Sequence, residues 1–202
     1  MTPQVIHLDR HRCTADETAR IGPNAVIQTL GALRVLEGAT LAEALRTEAD
    51  LPDPIPLQMI PERWFLDLVH HVRRVLPRDR AEAVLNRSGY GTADYVARNR
   101  IPSLVRLAFK ILPRQIAVPL LLRAIRKHAW TFVGAGRMRL LPSAIELADC
   151  PTCRESGQPF SGGYYAAAFQ RLLVLADPRI RVRETECVAR GHGACIFTLT
   201  RE

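Results

Sequence analysis

The fold class follows from the C-terminal residues Arg179–Thr200, RIRVRETECVARGHGACIFTLT. Apolar and polar residues alternate with period two over Arg179–Glu184 and again over Cys195–Thr200, a pattern typical of strands with one buried face. The sequence Gly-His-Gly at 191–193 supplies a turn between them. The stretch therefore predicts an antiparallel hairpin that carries two cysteines near its turn.

Further short strands and one helix are predicted upstream of this hairpin. Trp130–Val133, Arg137–Leu140 and Ala144–Leu147 are short apolar runs separated by glycine or proline, which is typical of strands. Phe160–Leu175 is rich in small and aromatic residues and predicts a helix that crosses the sheet.

Apolar residues recur at helical spacing across the N-terminal half. Thr40, with Glu43 three residues later, predicts a capped start for the second helix, and the Gly-Tyr-Gly sequence at 89–91 predicts an interruption of the fourth. The first predicted helix starts at Pro23 and Asn24 and ends at Gly38. The other predicted helices are Thr40–Ala49, Glu62–Val75, Asp79–Ala97, Leu104–Leu112 and Ile116–His128.

These elements predict an α+β fold, in which a helical N-terminal half packs on a C-terminal antiparallel β-sheet with one crossing helix. Residues 1–20 are polar and irregular, and we expect them to be loosely ordered. Residues 21–202 are predicted to form a single domain, with a helical part at 21–128 and a sheet part with the cysteines at 129–202.

Composition indicates a cytoplasmic protein. The Met-Thr-Pro start has no basic-then-apolar leader. The longest apolar run, Ile116–Leu122, is far shorter than the roughly 20 residues that a membrane span needs. Five cysteines in a reducing compartment are expected to be free, metal-bound or redox-active rather than paired in disulfides.

The chain carries a formal net charge of +8, and its arginines are concentrated between Arg98 and Arg139. Nucleic acid is one partner that such charge attracts, but no DNA- or RNA-binding motif accompanies it, and we expect none. Arginine also binds carboxylates through forked hydrogen bonds, and basic segments bind anionic membranes. An acidic small molecule, a membrane surface and a merely solvated arginine-rich surface therefore remain as interpretations.

The cysteines have a spacing that suits a metal. A CxxC pair follows a predicted strand, and two more cysteines flank the final hairpin, so that four thiols would meet as in a tetrahedral zinc site. Metal-free thiols remain an alternative. A redox dithiol is less favoured, because no helix N-terminus is predicted to follow directly and stabilise a thiolate. The predicted ligands are Cys150, Cys153, Cys187, Cys195 and Glu184, with His192 in reserve.

The pattern Glu184-x-x-Cys187-x7-Cys195-x-Phe197, preceded by a helix of small and aromatic residues, resembles the 4-vinyl reductase domain family. The resemblance implies zinc held by the glutamate, these two cysteines and an upstream cysteine. Ser161 stands where that cysteine is expected, so zinc would use Cys150 or Cys153 or be absent.

Over nearly the whole chain, the sequence also resembles the J proteins of bacteriochlorophyll biosynthesis. The segments that carry this resemblance are Ile21–Ala25, Ser88–Tyr95, Arg100–Pro102, Leu120–Ile125 and His128–Trp130. The resemblance implies a role around divinyl magnesium-tetrapyrrole intermediates.

Three functions fit that role. Vinyl reduction needs a nicotinamide or flavin, and no glycine-rich strand-turn-helix fingerprint is found. We therefore favour an accessory protein that binds these intermediates and delivers them to pathway enzymes. A vinyl reductase with a nicotinamide cofactor is the alternative, and a ligand-responsive regulatory module is the third.

A carrier of this kind needs an apolar surface, cations for the ring carboxylates and an axial ligand for magnesium. His128 is the candidate axial ligand, with His70 and His71 as further candidates. A homodimer is expected, as is a peripheral contact with the inner or photosynthetic membrane. The predicted pigment-binding residues are His128, Trp130, Arg98, Arg100, Arg123, Arg126 and Tyr164.

Overall fold

The computed structural model describes residues 18–134, 136–154 and 163–202. The helices are α1 (Asn24–Leu36), α2 (Ala39–Glu48), α3 (Glu62–Val75), α4 (Arg78–Asn99), α5 (Ser103–Ile111), α6 (Arg114–His128), α7 (Trp130–Val133), α8 (Pro151–Arg154) and α9 (Tyr164–Leu173). The strands are β1 (Arg20–Ile21), β2 (Ile60–Pro61), β3 (Arg137–Leu141), β4 (Ala144–Ala148), β5 (Ile180–Glu186) and β6 (Cys195–Arg201).

Four strands form an antiparallel sheet in the order β3-β4-β6-β5. The register places Leu147 of β4 opposite Cys195 of β6, and Glu184 of β5 opposite Phe197. A bulge between Glu184 and Glu186 shifts the pairing of β5 with β6. A bulge bends the strand that carries it, and pairing resumes after it at Glu186, opposite Ile196, directly before Cys187. β1 and β2 form a separate two-stranded ladder.

Helix α9 joins the two halves of the molecule. It packs against α4 on the helical side and against β5 on the sheet side. Its aromatic rings continue into the sheet: the Phe169 and Phe197 centroids are 5.3 Å apart, with planes inclined at 71°, an edge-to-face geometry that aromatic pairs favour. The predicted α+β architecture, with one helix crossing the sheet, is confirmed.

Buried apolar residues of both halves belong to one cluster, which runs from Ile21 to Phe197. Helix α1 contributes one face to this cluster. Its buried positions have the spacing of a single helical face; they are Ala25, Val26, Thr29, Leu30, Ala32 and Leu33. Burial of each large apolar side chain contributes about 1.5–3 kcal/mol relative to exposure, so the two halves are stabilised together.

The predicted interruption of the fourth helix is wrong, because α4 runs unbroken through Gly89 and Gly91. Both glycines lie where a neighbour approaches closely. A Cβ at Gly89 would meet the Tyr164 carbonyl oxygen at 2.2 Å, and one at Gly91 would meet the Gln28 side chain at 2.3 Å. The glycines therefore serve packing of α4 against α9 and α1.

The predicted strand at Trp130–Val133 is also wrong, since this segment is the short helix α7. Ala129 keeps helical dihedrals between α6 and α7, so the chain continues as a helix. Phe132 and Val133 are buried, and the Phe132 ring meets Phe169 edge-on. Tertiary packing has overridden the strand preference of this aromatic and β-branched sequence.

The predicted cap of the second helix fails as well. Helix α2 begins at Ala39, and its N-cap is Gly38 with φ 96°, without a side-chain cap hydrogen bond. The positive φ explains the choice of glycine. The predicted starts of α4 and α6 shift by one and two residues, to Arg78 and Arg114.

Most of the N-terminal segment predicted to be loosely ordered lies outside the described residues, as do Ser161 and the first residues of the helix predicted from Phe160. Arg20 is described and pairs with Pro61. In the described part of the chain, no helix combines the length and hydropathy that crossing a membrane requires.

Candidate functional site

The thiol–carboxylate cluster, defined here as Cys150, Cys153, Cys187, Cys195 and Glu184, forms at one end of the sheet. Cys150 follows β4 and Cys153 lies in α8, while Glu184 lies in β5 beside the bulge. Cys187 directly follows β5, and Cys195 begins β6. The antiparallel register of β4, β6 and β5 thus brings together five side chains, of which the first, Cys150, and the last, Cys195, are 45 positions apart in sequence.

The sulfur atoms are spaced as metal ligands would be. The Sγ–Sγ distances are 3.4 Å for Cys150–Cys153, 3.6 Å for Cys153–Cys187 and 3.8 Å for Cys187–Cys195. Zinc–sulfur bonds of about 2.3 Å in a tetrahedron place sulfurs about 3.8 Å apart. The thiols are free rather than paired in disulfides. This donor set fits a tetrahedral zinc ion.

Four of the five donors form one compact ligand set, which is the number that a structural zinc site needs. Ligand atoms of Cys153, Glu184, Cys187 and Cys195 all lie within 4.8 Å of one another, which describes a three-cysteine, one-carboxylate set. Cys150 is not part of that set, but its sulfur contacts that of Cys153. A four-cysteine set, in which Cys150 replaces Glu184, is the alternative that the sequence predicted.

Two of the buried thiols have a raised pKa. Burial raises the pKa of Cys150 well above its usual value. Contact with Cys153 lowers the pKa of Cys187, but hydrogen bonding to Cys195 and burial outweigh it and raise that pKa to about 11. Reactive cysteines are thiolates with a lowered pKa. Without a metal, the raised pKa values of Cys150 and Cys187 therefore disfavour nucleophilic or redox chemistry of these two thiols.

One argument against a redox pair was wrong. The sequence predicted no helix directly after Cys150, but α8 begins at Pro151. Between β4 and this short helix, Asp149 adopts φ 55°. The backbone N–H of Cys153 donates to the Cys150 carbonyl oxygen, which closes the turn that α8 forms. Helix α8 is only four residues long, and the Cys150 pKa is raised, not lowered.

Arg73 is the member of this region that the sequence prediction missed. Its side chain on α3 is buried, with 6% of the residue exposed, and donates to the Thr152 carbonyl oxygen within the CxxC loop. Burial lowers the pKa of Arg73, and the charges of Cys153, Cys150, Cys187 and Glu184 oppose that shift. A signal existed: Arg73 lies four residues after Val69, on the apolar face of α3.

His192 contacts the backbone of Cys187. Its Nδ1 lies 3.1 Å from the Cys187 carbonyl oxygen and 3.4 Å from the Cys187 nitrogen. The His192 ring thus contacts the loop that carries the Cys187 thiol. His192 is not one of the four residues whose ligand atoms lie within 4.8 Å of one another.

The predicted pigment-binding residues are divided between two environments. Arg98, Arg100, Arg123, Arg126 and His128 are exposed, and Trp130 is 56% exposed. Tyr164 is buried; its hydroxyl donates to Thr92 at 3.2 Å and its ring lies 4.8 Å from that of Phe65. Tyr164 is thus a core residue in this structure, apart from the exposed set.

We name the α6 basic face the side of the helix that carries Arg123, Arg126 and Trp130 of the exposed set together with exposed Lys127. Arg126 and Lys127 lie three and four residues after Arg123, and four and three residues before Trp130. Because Ala129 keeps helical dihedrals, these residues line one side of successive turns. Arg98 lies on α4 and is paired with Asp94 at 3.6 Å.

The predicted histidines lie on two helices. His128 is exposed at the end of α6, and its carbonyl oxygen accepts a hydrogen bond from Thr131. His70 and His71 lie on α3 with their ring centroids 5.9 Å apart, and the His71 Nδ1 is 3.5 Å from Glu48. An axial role for any of them stays a prediction.

Among solved structures, an H-NOX protein from S. oneidensis in the Fe(II)NO ligation state has a TM-score of 0.49 and 14% identity, covering 89% of this chain and 98% of that chain. An H-NOX domain from Shewanella oneidensis in the Fe(II)CO ligation state has a TM-score of 0.47 and 14% identity, covering 90% and 99%. Likenesses of this strength support no statement about function.

Sequence relatives are much closer. No family model matches the chain. The bacteriochlorophyll synthase 23 kDa chain of Rhodobacter capsulatus is 37% identical over 189 residues, which covers 91% of this chain and 88% of the relative. The protein of the same name from Cereibacter sphaeroides is 37% identical over 186 residues, covering 89% and 90%. The predicted kinship with proteins of bacteriochlorophyll synthesis is confirmed, and the chain belongs to the family of the bacteriochlorophyll synthase 23 kDa chain.

Proposed function

We propose that the protein is an accessory protein of bacteriochlorophyll biosynthesis that binds magnesium-tetrapyrrole intermediates, divinyl forms included, and delivers them to pathway enzymes. The names of its two relatives support a place in that pathway. The observation that carries the binding role is the α6 basic face, where exposed cations lie next to an exposed tryptophan.

The chemistry of that face suits an amphiphilic ring acid. Arg123 and Arg126 offer forked donors to a carboxylate, and neither takes part in an ion pair among the described residues. Trp130 offers a flat apolar surface for the ring. His128 stays the candidate axial ligand of this proposal; it lies at the same end of α6 but outside the α6 basic face.

Zinc has a structural role in the proposal. The thiol–carboxylate cluster would hold the ion, which would tie the CxxC loop after β4 to the β5–β6 hairpin. The four cysteines of the cluster are buried, and the proposal assigns no coordination position to a substrate. The protein would work as a cytoplasmic protein with a peripheral membrane contact, and as a homodimer.

The experiment compares ring acids with their esters. Arg123→Gln/Arg126→Gln should weaken binding of a carboxylate-bearing precursor about tenfold, because a charge-assisted hydrogen bond contributes about 1.5–3 kcal/mol. Binding of the corresponding methyl ester should change little. Absorbance titration of the Soret band measures both affinities.

Arg34→Gln is the matched control, since Arg34 is exposed on α1 and outside the α6 basic face. It should bind acid and ester as the wild type does. Equal weakening of acid and ester by the double variant, or none, would move the carboxylate contact away from α6.

A further inference from the structure

Helix α5 presents an apolar stripe to solvent. Leu104, Leu107 and Ile111 are 78%, 54% and 76% exposed, and their spacing of three and four residues places them on one face. The opposite side of the helix is anchored, because Phe109 is buried and the Arg106 guanidinium donates to the Ala97 carbonyl oxygen at 3.1 Å. A helix fixed on one side and apolar on its free side fits a docking surface better than a core element.

The segment of sequence that contains this stripe carries charge of a single sign. Residues 95–145 contain ten Lys and Arg and no Asp or Glu. The whole chain contains 28 Lys and Arg and 20 Asp and Glu, so the remainder carries 18 basic and 20 acidic residues. The excess positive charge of the sequence therefore falls within residues 95–145. Three of the ten are ion-paired with acids outside this segment, Arg98 with Asp94, Arg137 with Asp149 and Arg139 with Glu146, and all three lie outside α5 and α6.

We propose that α5 docks the protein on an anionic lipid bilayer, with Leu104, Leu107 and Ile111 inserted at the headgroup boundary. Apolar side chains flanked by cations are the signature of helices that lie in a membrane interface, and anionic headgroups attract such basic segments. The inference rests on the proposed function, which includes a peripheral membrane contact, and it adds the surface and the lipid class.

Charge complementarity selects this occupant among the alternatives. A free anion would need the cations but would leave the apolar stripe exposed. A second copy of the chain, related by two-fold symmetry, would bring two segments of uniform positive charge together, which is unfavourable. A bilayer with anionic headgroups satisfies both the apolar and the basic groups.

The test is cosedimentation of the full chain with pigment-free vesicles. Vesicles of phosphatidylglycerol and phosphatidylcholine should retain the wild-type protein at least about tenfold better than vesicles of phosphatidylcholine alone. Leu104→Glu/Ile111→Glu should lose about tenfold or more of that binding, because each charge would enter an apolar layer. Leu57→Glu is the matched control, since Leu57 is 86% exposed in the connection between α2 and β2.

Three outcomes would overturn the proposal. Wild-type binding that ignores lipid charge would do so without any variant, which keeps the test independent of variant folding. Unchanged vesicle binding by the double variant, at wild-type thermal stability, would show that α5 does not contact the bilayer. Dimer dissociation by the double variant, seen in light scattering without loss of vesicle binding, would assign the stripe to a second copy.

Pigment titration of the same variants separates the two proposals. Leu104→Glu/Ile111→Glu should bind a carboxylate-bearing precursor in vesicle-free buffer as the wild type does. Failure of the wild-type protein to bind anionic vesicles, with intact pigment binding, would contradict the membrane proposal alone. Failure of the wild-type protein to bind pigment, with intact vesicle binding, would contradict the pigment-binding role alone.

Discussion

Arg73 brings a positive charge into a region of thiols and one carboxylate. Burying a cation is unfavourable unless anionic groups or hydrogen bonds compensate. The Thr152 carbonyl oxygen supplies one hydrogen bond. A divalent ion held by thiolates and a carboxylate would give the cluster a net negative charge, which the guanidinium would offset. Arg73 is thus expected to stabilise the metal-bound cluster from outside the ligand set.

Replacement of Arg73 should therefore weaken the metal site without removing a ligand. Arg73→Met is expected to lower zinc affinity about tenfold, as the loss of an outer-shell partner does in other zinc sites. Arg73→Lys, which keeps the charge, should recover much of it. Competition with a chromophoric chelator measures the affinity. Wild-type affinity in Arg73→Met would show that the guanidinium only fills space.

The cysteines offer a more direct test of the metal. Protein purified without chelator should carry about one zinc per chain, since a closed four-ligand site binds tightly. Cys187→Ser should lower both the zinc content and the thermal midpoint, because metal-binding energy is also folding energy. Atomic absorption and differential scanning calorimetry measure the two quantities.

Cys13→Ser is the matched control, since no prediction places Cys13 in the cluster. It should retain zinc and stability. Comparison of Cys150→Ser with Glu184→Gln then identifies the fourth ligand, because only the ligand's loss should release the ion. Zinc-free wild-type protein whose stability does not change on chelation would rule out the metal centre.

At the scale of elements, the close packing of α4 against α9 requires that Gly89 has no side chain. Alanine is the better helix former, by about 1 kcal/mol over glycine. At Gly89, however, a Cβ would overlap the Tyr164 carbonyl oxygen and approach Ala167 at 3.0 Å. The backbone atom cannot rotate away, so packing should outweigh propensity.

Gly89→Ala is therefore expected to destabilise the protein by about 1–3 kcal/mol, the usual cost of overpacking. Gly31→Ala is the matched control within α1, where a Cβ would meet nothing within 4 Å, and it should stabilise by about 0.5–1 kcal/mol. Chemical denaturation measures both free energies of unfolding. Stabilisation by both substitutions would mean that α4 and α9 lie farther apart than described.

The elements show what a sequence pattern can and cannot predict here. Period-two alternation placed β5 and β6, and helical spacing placed α1 and α3, because burial of one face governs both patterns. The unbroken course of α4 through Gly89 and the helical state of Trp130–Val133 depend on contacts with α9. Those contacts join residues that are distant in sequence, so the local helix and strand propensities could not predict them.

The cluster shows the same limit at closer range. Cysteine spacing predicted which thiols would meet, and the structure brings them together. Arg73 was missed although it lies on the apolar face of α3, since a basic residue at such a position more often reaches solvent. Only the packing of α3 against α8 shows that it is buried.

At the scale of the whole molecule, the proposals divide among three regions. The thiol–carboxylate cluster lies at the end of the sheet and would stabilise the fold. The α6 basic face would bind the pigment, and α5 would meet the membrane. A carrier built in this way needs no cofactor for its own chemistry, whereas a vinyl reductase needs a hydride donor.

A pigment titration distinguishes a tetrapyrrole carrier from a vinyl reductase. Purified wild-type protein is mixed with divinyl protochlorophyllide, with and without reduced nicotinamide, and the Soret band and the pigment composition are followed. The account predicts a saturable shift of the Soret band and an unchanged divinyl pigment in both mixtures. Conversion to the monovinyl pigment with reduced nicotinamide would make the protein a reductase, and the absence of any shift would contradict pigment binding itself.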